Sequence, residues 1–246
     1  VLEPLSKVYG IDVSDAALRK AVEEQNEISR LLLQISEYRK MEHPTITGYE
    51  FAVLCLASYC CPKDAIKEKL KETLEELKTR EPDAKNPYRV RVVLVGSEID
   101  DPGLIQLIEE SGAMVVADRH CFGAFPGRQE ILLNDEEDVL TQICRHYLKV
   151  GQCPRFMNTD KIVERKQYVN DLAQEYHADG IIYQQIKFCD YWGYERALAS
   201  HVLREDYGYP VLSVDRPYVV GSSGQLRTRV QAFVESVEIK KIQKGE

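Results

Sequence analysis

The sequence predicts an α/β protein: a helical segment followed by a four-stranded, parallel, flavodoxin-like sheet with helices on both faces. Three observations predict it. From Tyr88 onward, short apolar runs alternate with amphipathic helical patterns. The runs are dominated by β-branched residues and lack the in-and-out alternation of a sheet with one wet face. Residues 1–86 carry only helical periodicity. Right-handed crossovers restrict the strand order, and the flavodoxin-like order 2-1-3-4 is expected.

The elements follow in order. Ser14-Asp15 is positioned to cap a long helix with Leu18, Val22, Ile28, Leu31, Leu32 and Ile35 on one broad stripe, broken by His43-Pro44. A second helix spans Thr47 to Ser58, and a charged third one Lys63 to Thr79, with Ile66, Leu70, Leu74 and Leu77 on its apolar face. Residues 81–87 are Pro-containing and polar and read as a linker, so a helical domain over 1–86 and an α/β domain over 87–246 are expected. In the second part, Val90–Val95 is a strand and Pro102–Glu110 a helix with proline in its permissive first turn. Met114–Ala117 is the second strand, followed by helices over 136–149 and 160–176. Gly180–Tyr183 is the third strand, Tyr194–Asp206 a helix, Pro210–Val214 the fourth strand and 225–240 the closing helix.

The net charge of −8 disfavours a nucleic-acid partner, and no apolar run reaches the ~20 residues needed to span a bilayer. The chain starts at Val1 with no initiator Met and no signal pattern; a piece of a longer cytoplasmic protein is expected. Seven cysteines are too few and too scattered for a disulfide scaffold, which points to a reducing compartment and to functional thiols. Cys55 and Cys144 fall on apolar helical faces and are expected in the core, and Cys60-Cys61 is expected to be structural. His146 and His177 read as helix residues without special duty, and His201 shares no ligand spacing with them.

In a parallel sheet every strand exit faces one edge, where α/β proteins place ligands. That edge collects Gly96-Ser97-Glu98, Asp118-Arg119-His120-Cys121, Lys187-Phe188-Cys189-Asp190 and Asp215-Arg216-Pro217. Cys121, Cys153 and Cys189 are spaced too widely for a ferredoxin or zinc-ribbon run, yet loops distant in sequence can still converge. Their softness suits iron or zinc, and Phe188 or Trp192 could shield a cluster. His120 and Ser97 are candidate acid–base or substrate-facing groups. Gly221-Ser222-Ser223-Gly224, ahead of a helix and near Arg227 and Arg229, offers backbone N–H groups to an anion such as a coenzyme A phosphate; a plain capping loop explains it equally well.

Several motifs occur together in a fixed order. They are Val95–Pro102, Gly112–Gly123 ending in Asp118-Arg119-His120-Cys121-Phe122-Gly123, Gln152-Cys153-Pro154, Ala178–Ile182 running to Lys187-Phe188-Cys189-Asp190, and Gly224–Arg229. In that order the chain resembles the 2-hydroxyacyl-CoA dehydratase and benzoyl-CoA reductase family over almost its whole length. The resemblance implies an oxygen-sensitive heterodimer with a homologous second subunit, a 4Fe–4S cluster in each subunit and an acyl-CoA substrate. It also implies a separate ATP-hydrolysing iron–sulfur activator. Dehydratases of the family eliminate water through a ketyl radical, and reductases reduce the ring of benzoyl-CoA. The stretch Phe188–Arg196 is closer to the benzoyl-CoA reductase side, so that activity is expected first and a dehydratase second. A non-catalytic partner subunit and, from the fold alone, a flavin- or nucleotide-binding module are the other readings. The family carries a further α/β domain ahead of the helical part and draws cluster ligands from both. The resemblance therefore makes Cys189 the strongest ligand candidate, with Cys121 and Cys153 weaker.

Overall fold

The computed structural model describes residues 2–82, 87–124, 128–155, 158–218 and 223–245. The chain opens with helices α1 (Leu2–Tyr9), α2 (Asp15–Glu37), α3 (Gly48–Cys60) and α4 (Lys63–Leu77). Ser14 caps α2 by accepting the Ala17 N–H, and Thr47 and Glu50 form a reciprocal capping box on α3. These helices close on Ile28, Leu32, Ile35, Phe51, Cys55, Ile66 and Leu70. Cys55 is fully buried, as its apolar surroundings predict, and burial pushes its thiol up to about 12.

The sheet consists of β1 (Val90–Gly96), β2 (Ala113–Arg119), β3 (Gly180–Ile186) and β4 (Val211–Arg216). All pairs are parallel and the order is β2-β1-β3-β4, the expected one. The connecting helices are α5 (Gly103–Glu110), α6 (Val139–Val150), α7 (Thr159–Glu175) and α8 (Asp190–Glu205), and α9 (Ser223–Lys244) closes the chain. Period-2 side-chain alternation divides the strands between two cores. Val90, Val92, Leu94, Val115, Ile182 and Val214 pack with residues of α5 and α9 on one face. Val93, Val95, Val116, Ile181 and Tyr183 pack with residues of α7 and α8 on the other. The register shifts between Val92 and Val93, whose partners are Val115 and Ala117, so Val116 is an extra residue in β2 and bends it at the edge of the sheet.

Arg91 ties the helical segment to the sheet. Its buried guanidinium donates to the backbone oxygens of Arg39, Met41 and Tyr176, each at 2.9 Å, and so holds the turn after α2 against β1. Consequently α2 ends at Glu37, short of the His43-Pro44 break that sequence alone marks as its end.

Other boundaries moved for identifiable reasons. β3 runs through Gln184 and Gln185 to Ile186, because the buried Gln184 amide bonds the Ser97 carbonyl and Arg216 and is fully satisfied inside the sheet. α8 begins at Asp190, four residues before the predicted Tyr194, which makes Cys189 its N-cap residue. Cys144 is exposed rather than in the core: α6 buries Val139 and Gln142, and the Gln142 amide binds the carbonyls of Asn134 and Glu137. His177 lies beyond α7 with φ of 50°, not within the helix. Cys60 and Cys61 are both exposed at the end of α3, so packing does not hold them.

Gly96 ends β1 with φ of +134°, and a Cβ there would stand 1.7 Å from the backbone oxygen of Gln184. Backbone cannot yield as a flexible side chain can. Gly96→Ala is therefore expected to destabilise the chain by at least about 2 kcal/mol, read as a lower urea midpoint at unchanged slope.

Candidate functional site

The four strand exits share one edge, and a polar lattice fixes their spacing. Ser97, buried after β1, accepts the Ile186 N–H on its hydroxyl at 2.8 Å, so that hydroxyl stitches β1 to β3. Arg216 at the end of β4 reaches Gln184 at 3.0 Å and the Glu98 carbonyl at 2.7 Å. Lys187 donates its N–H to the Arg216 carbonyl at 2.8 Å.

Beyond β3 the chain turns sharply. Phe188 takes φ of 70°, in the left-handed region that non-glycine residues seldom occupy, and is 97% exposed. The Phe188 ring therefore covers almost none of this chain's own core. Cys189 follows as the N-cap of α8, half-buried against the cluster that contains Trp192. Its carbonyl accepts the Gly193 N–H at 2.9 Å and the Gln185 amide at 3.1 Å. The positive pole of α8 lies at this turn.

β2 delivers the second group. Arg119 is 1% exposed, and its Nε and Nη2 donate to the side chain and carbonyl of Gln152 at 2.9 and 2.7 Å. Its guanidinium carbon lies 5.2 Å from the centroid of the Trp192 ring. Together Arg119, His120, Cys121, Gly151, Gln152, Cys153 and Trp192 line a partly open, largely apolar hollow of about 140 Å³. Cys121 and Cys153 thus meet at one cavity, whereas Cys189 stands at the start of the helix that supplies its Trp192 wall. Crowding around the Cys121 sulfur pushes that thiol up to about 11, with the neighbouring Cys153 thiol adding to the shift. It is protonated at neutral pH, which suits a packed cavity wall better than a nucleophile.

His120 is buried, and neither ring nitrogen has a hydrogen-bond partner among the described residues. Burial lowers its pKa, opposed by Asp118, and the imidazole is neutral at pH 7. Asp118 itself accepts from Arg39 at 2.9 Å and from the Ala124 N–H at 2.6 Å. Burial works to raise its carboxyl, but Arg39, His120 and the Ala124 N–H prevail and hold it below the usual range.

The anion loop is placed only in part. Ser222, with Gly221, lies outside the described residues, while Ser223 and Gly224 open α9. Arg227 pairs with Glu110 at 2.7 Å, and Arg229 donates to the Ser213 carbonyl at 2.8 Å, so both cations proposed for that loop are already engaged.

A 4Fe–4S cluster takes four ligands. Among the described residues no three His, Cys, Asp or Glu side chains converge as a metal site would require. Cys189 is a free, half-buried thiol at the N-terminus of α8. The full set is not gathered among the described residues.

Sequence reasoning missed the pairing of Arg119 with Gln152. Its signal was present as an arginine at the end of a buried strand and an amide beside Cys153, but only the fold places them together.

The family described as "2-hydroxyglutaryl-CoA dehydratase, D-component" matches residues 1–237. The chain is 27% identical over 237 residues to the (R)-phenyllactyl-CoA dehydratase beta subunit of Clostridium sporogenes, covering 96% of this chain and 61% of that protein. It is 23% identical over 239 residues to a benzoyl-CoA reductase subunit of Thauera aromatica, covering 96% and 61%. The chain thus spans about three fifths of the length of these relatives.

Proposed function

We propose that this chain, which belongs to the 2-hydroxyglutaryl-CoA dehydratase D-component family, is part of an iron–sulfur subunit of an enzyme that dehydrates 2-hydroxyacyl-CoA thioesters. The observation that carries the reading is the family match over residues 1–237, which spans all four strand exits and the Cys189 turn. The relative from Clostridium sporogenes is named as a subunit of an (R)-phenyllactyl-CoA dehydratase. Reduction of benzoyl-CoA, which Phe188–Arg196 favours at the level of motifs, is the second reading, supported by the relative from Thauera aromatica.

In either reading Cys189 would hold one iron of a 4Fe–4S cluster, with the remaining ligands outside this chain's described residues. When bound, such a cluster supplies single low-potential electrons. The residues of the chain do the rest. Ser97, Gln184 and Arg216 fix the strand exits that carry the ligand turn. The packing of Cys189 against the Trp192 cluster keeps water from its inner side. A homologous partner and an ATP-hydrolysing iron–sulfur activator complete the proposal; the partner is supported by the relatives, both of which are named as subunits.

The test is made on the full-length protein assembled anaerobically with its partner, activator, ATP and reductant. Offered a panel of 2-hydroxyacyl-CoA esters and benzoyl-CoA, the enzyme is expected to form the 2-enoyl-CoA by mass spectrometry. Ring-reduced benzoyl-CoA in its place would move the chain to the reductase reading. Turnover of neither class, at full iron content, would overturn both.

A further inference from the structure

We propose that the outward face of α6, centred on Cys144, is a self-association surface on which α6 of a second copy packs antiparallel about a twofold axis. The proposal goes beyond the acyl-CoA reading and does not depend on it.

A surface helix normally turns its apolar arc toward the core. On α6 the residues Leu140, Ile143, Cys144, Tyr147 and Leu148 share one broad arc at 3.6 residues per turn. The helix nevertheless rests on the side that carries Val139 and Gln142. It can do so because the Gln142 amide is satisfied there, donating to the carbonyls of Asn134 and Glu137 at 3.0 and 2.8 Å. The apolar arc is thereby turned outward. Leu140 is 40% exposed, Tyr147 44% and Leu148 59%, and the Cys144 thiol between them is exposed as well. Tyr59, 52% exposed near the end of α3, lies within electrostatic reach of Tyr147 and extends the patch. A continuous apolar surface rimmed by charge marks an interaction site.

The charges name the occupant. The acidic run Asp135-Glu136-Glu137-Asp138 leads into α6, and the cations Arg145 and Lys149 lie in its second half. An antiparallel twofold through Cys144 sets Leu140 against Leu148 of the second copy and brings the acidic run of each copy beside Lys149 of the other. Glu137 is already held by Arg145 at 2.7 Å, which leaves Glu136 and Lys149 as the cross pair. Parallel packing would set acid on acid. An anionic lipid surface is disfavoured, because residues 135–149 hold four carboxylates against two cations.

The test is made on the full-length protein, assembled anaerobically with its partner. Sedimentation velocity over a range of concentrations is expected to show the mass of the assembly doubling. A short bismaleimide is expected to join Cys144 to Cys144 of the second copy, giving a linked peptide in mass spectrometry that Cys144→Ser removes. Leu148→Glu, which sets a carboxylate against an apolar and acidic neighbour, is expected to weaken the association about tenfold or more. Lys149→Glu should weaken it too, and adding Glu136→Lys in the same chain should restore it. Circular dichroism and iron content stay unchanged throughout.

A mass independent of concentration, with Cys144 freely alkylated, would overturn the proposal. Shielding of Cys144 without doubling would assign the face to the rest of the full-length protein or to its partner, and would overturn the second copy as occupant. Doubling that survives Leu148→Glu and yields no Cys144 link would move the interface elsewhere and overturn it too. None of these results bears on acyl-CoA turnover, so the two readings fail separately.

Discussion

Asp118→Ala is expected to destabilise the chain by about 3–5 kcal/mol, the range seen when one partner of a buried ion pair is removed. Both partners are almost wholly enclosed, with side-chain exposures of 1% for Arg39 and 5% for Asp118. The pair joins the turn after α2 to the end of β2, and Arg39 also lies 3.8 Å above the Phe51 ring and donates to Ser36 at 2.9 Å. Removing the carboxylate strands a buried guanidinium and also leaves the Ala124 N–H without its acceptor. The cost comes from uncompensated charge more than from a strong bond. A double replacement, Arg39→Met with Asp118→Leu, should therefore lose markedly less than the sum of the single variants. Urea unfolding of the four proteins decides this; additive losses would mean that the two residues act independently.

The same pair sets an acid limit. Asp118 is held below its unfolded value of roughly 4. Its contribution is thus complete above that value and is lost as the pH falls toward the lower native pKa. His120 is likewise depressed, because burial favours its neutral form. For a histidine lowered in the fold, stability is complete above about 6.5 and declines as the pH falls below it. Acidification should therefore act in two windows, and the lower one should vanish in Asp118→Asn.

Much of the fold was legible because the sheet is buried on both faces. Runs such as Val90–Val95, short, β-branched and bounded by glycine, favour strands, and handed crossovers restrict the orders to a few that include the observed 2-1-3-4. The local misreadings share a cause. Gln184, Gln185, Arg91 and Gln142 are polar residues placed inside elements, where partners in other segments satisfy them: Ser97, Arg216, Arg196, the carbonyls after α2, and the 134–137 segment. No local pattern announces such partners. The site was half legible for the same reason. Cysteines at strand exits mark an edge, but the cavity exists only because Gln152 swings onto Arg119 and α8 starts early enough to bring Trp192 beside it.

Cys189→Ala, made in the full-length protein and assembled anaerobically with its partner, is expected to lose most of one cluster's iron and sulfide and to lower turnover by about 100-fold or more. The expectation follows from position. Cys189 heads α8 on a turn whose geometry is fixed on three sides: its N–H reaches the Ile186 carbonyl at 3.1 Å, its carbonyl receives Gly193, and Gln185 is in turn held by Arg196 at 2.9 Å. A thiolate presented by so constrained a turn loses little conformational freedom on taking a metal. Replacement by alanine keeps every one of these backbone contacts, so the fold is expected to survive and the loss to be chemical. Cys121 and Cys153 provide the contrast, since they line a partly open hollow with Trp192, and the thiol of Cys121 is driven toward its protonated form. Cys121→Ala and Cys153→Ala should retain iron and sulfide. Full iron content in Cys189→Ala, or iron loss confined to the other two variants, would transfer the ligand role from the β3 exit to the β2 exit.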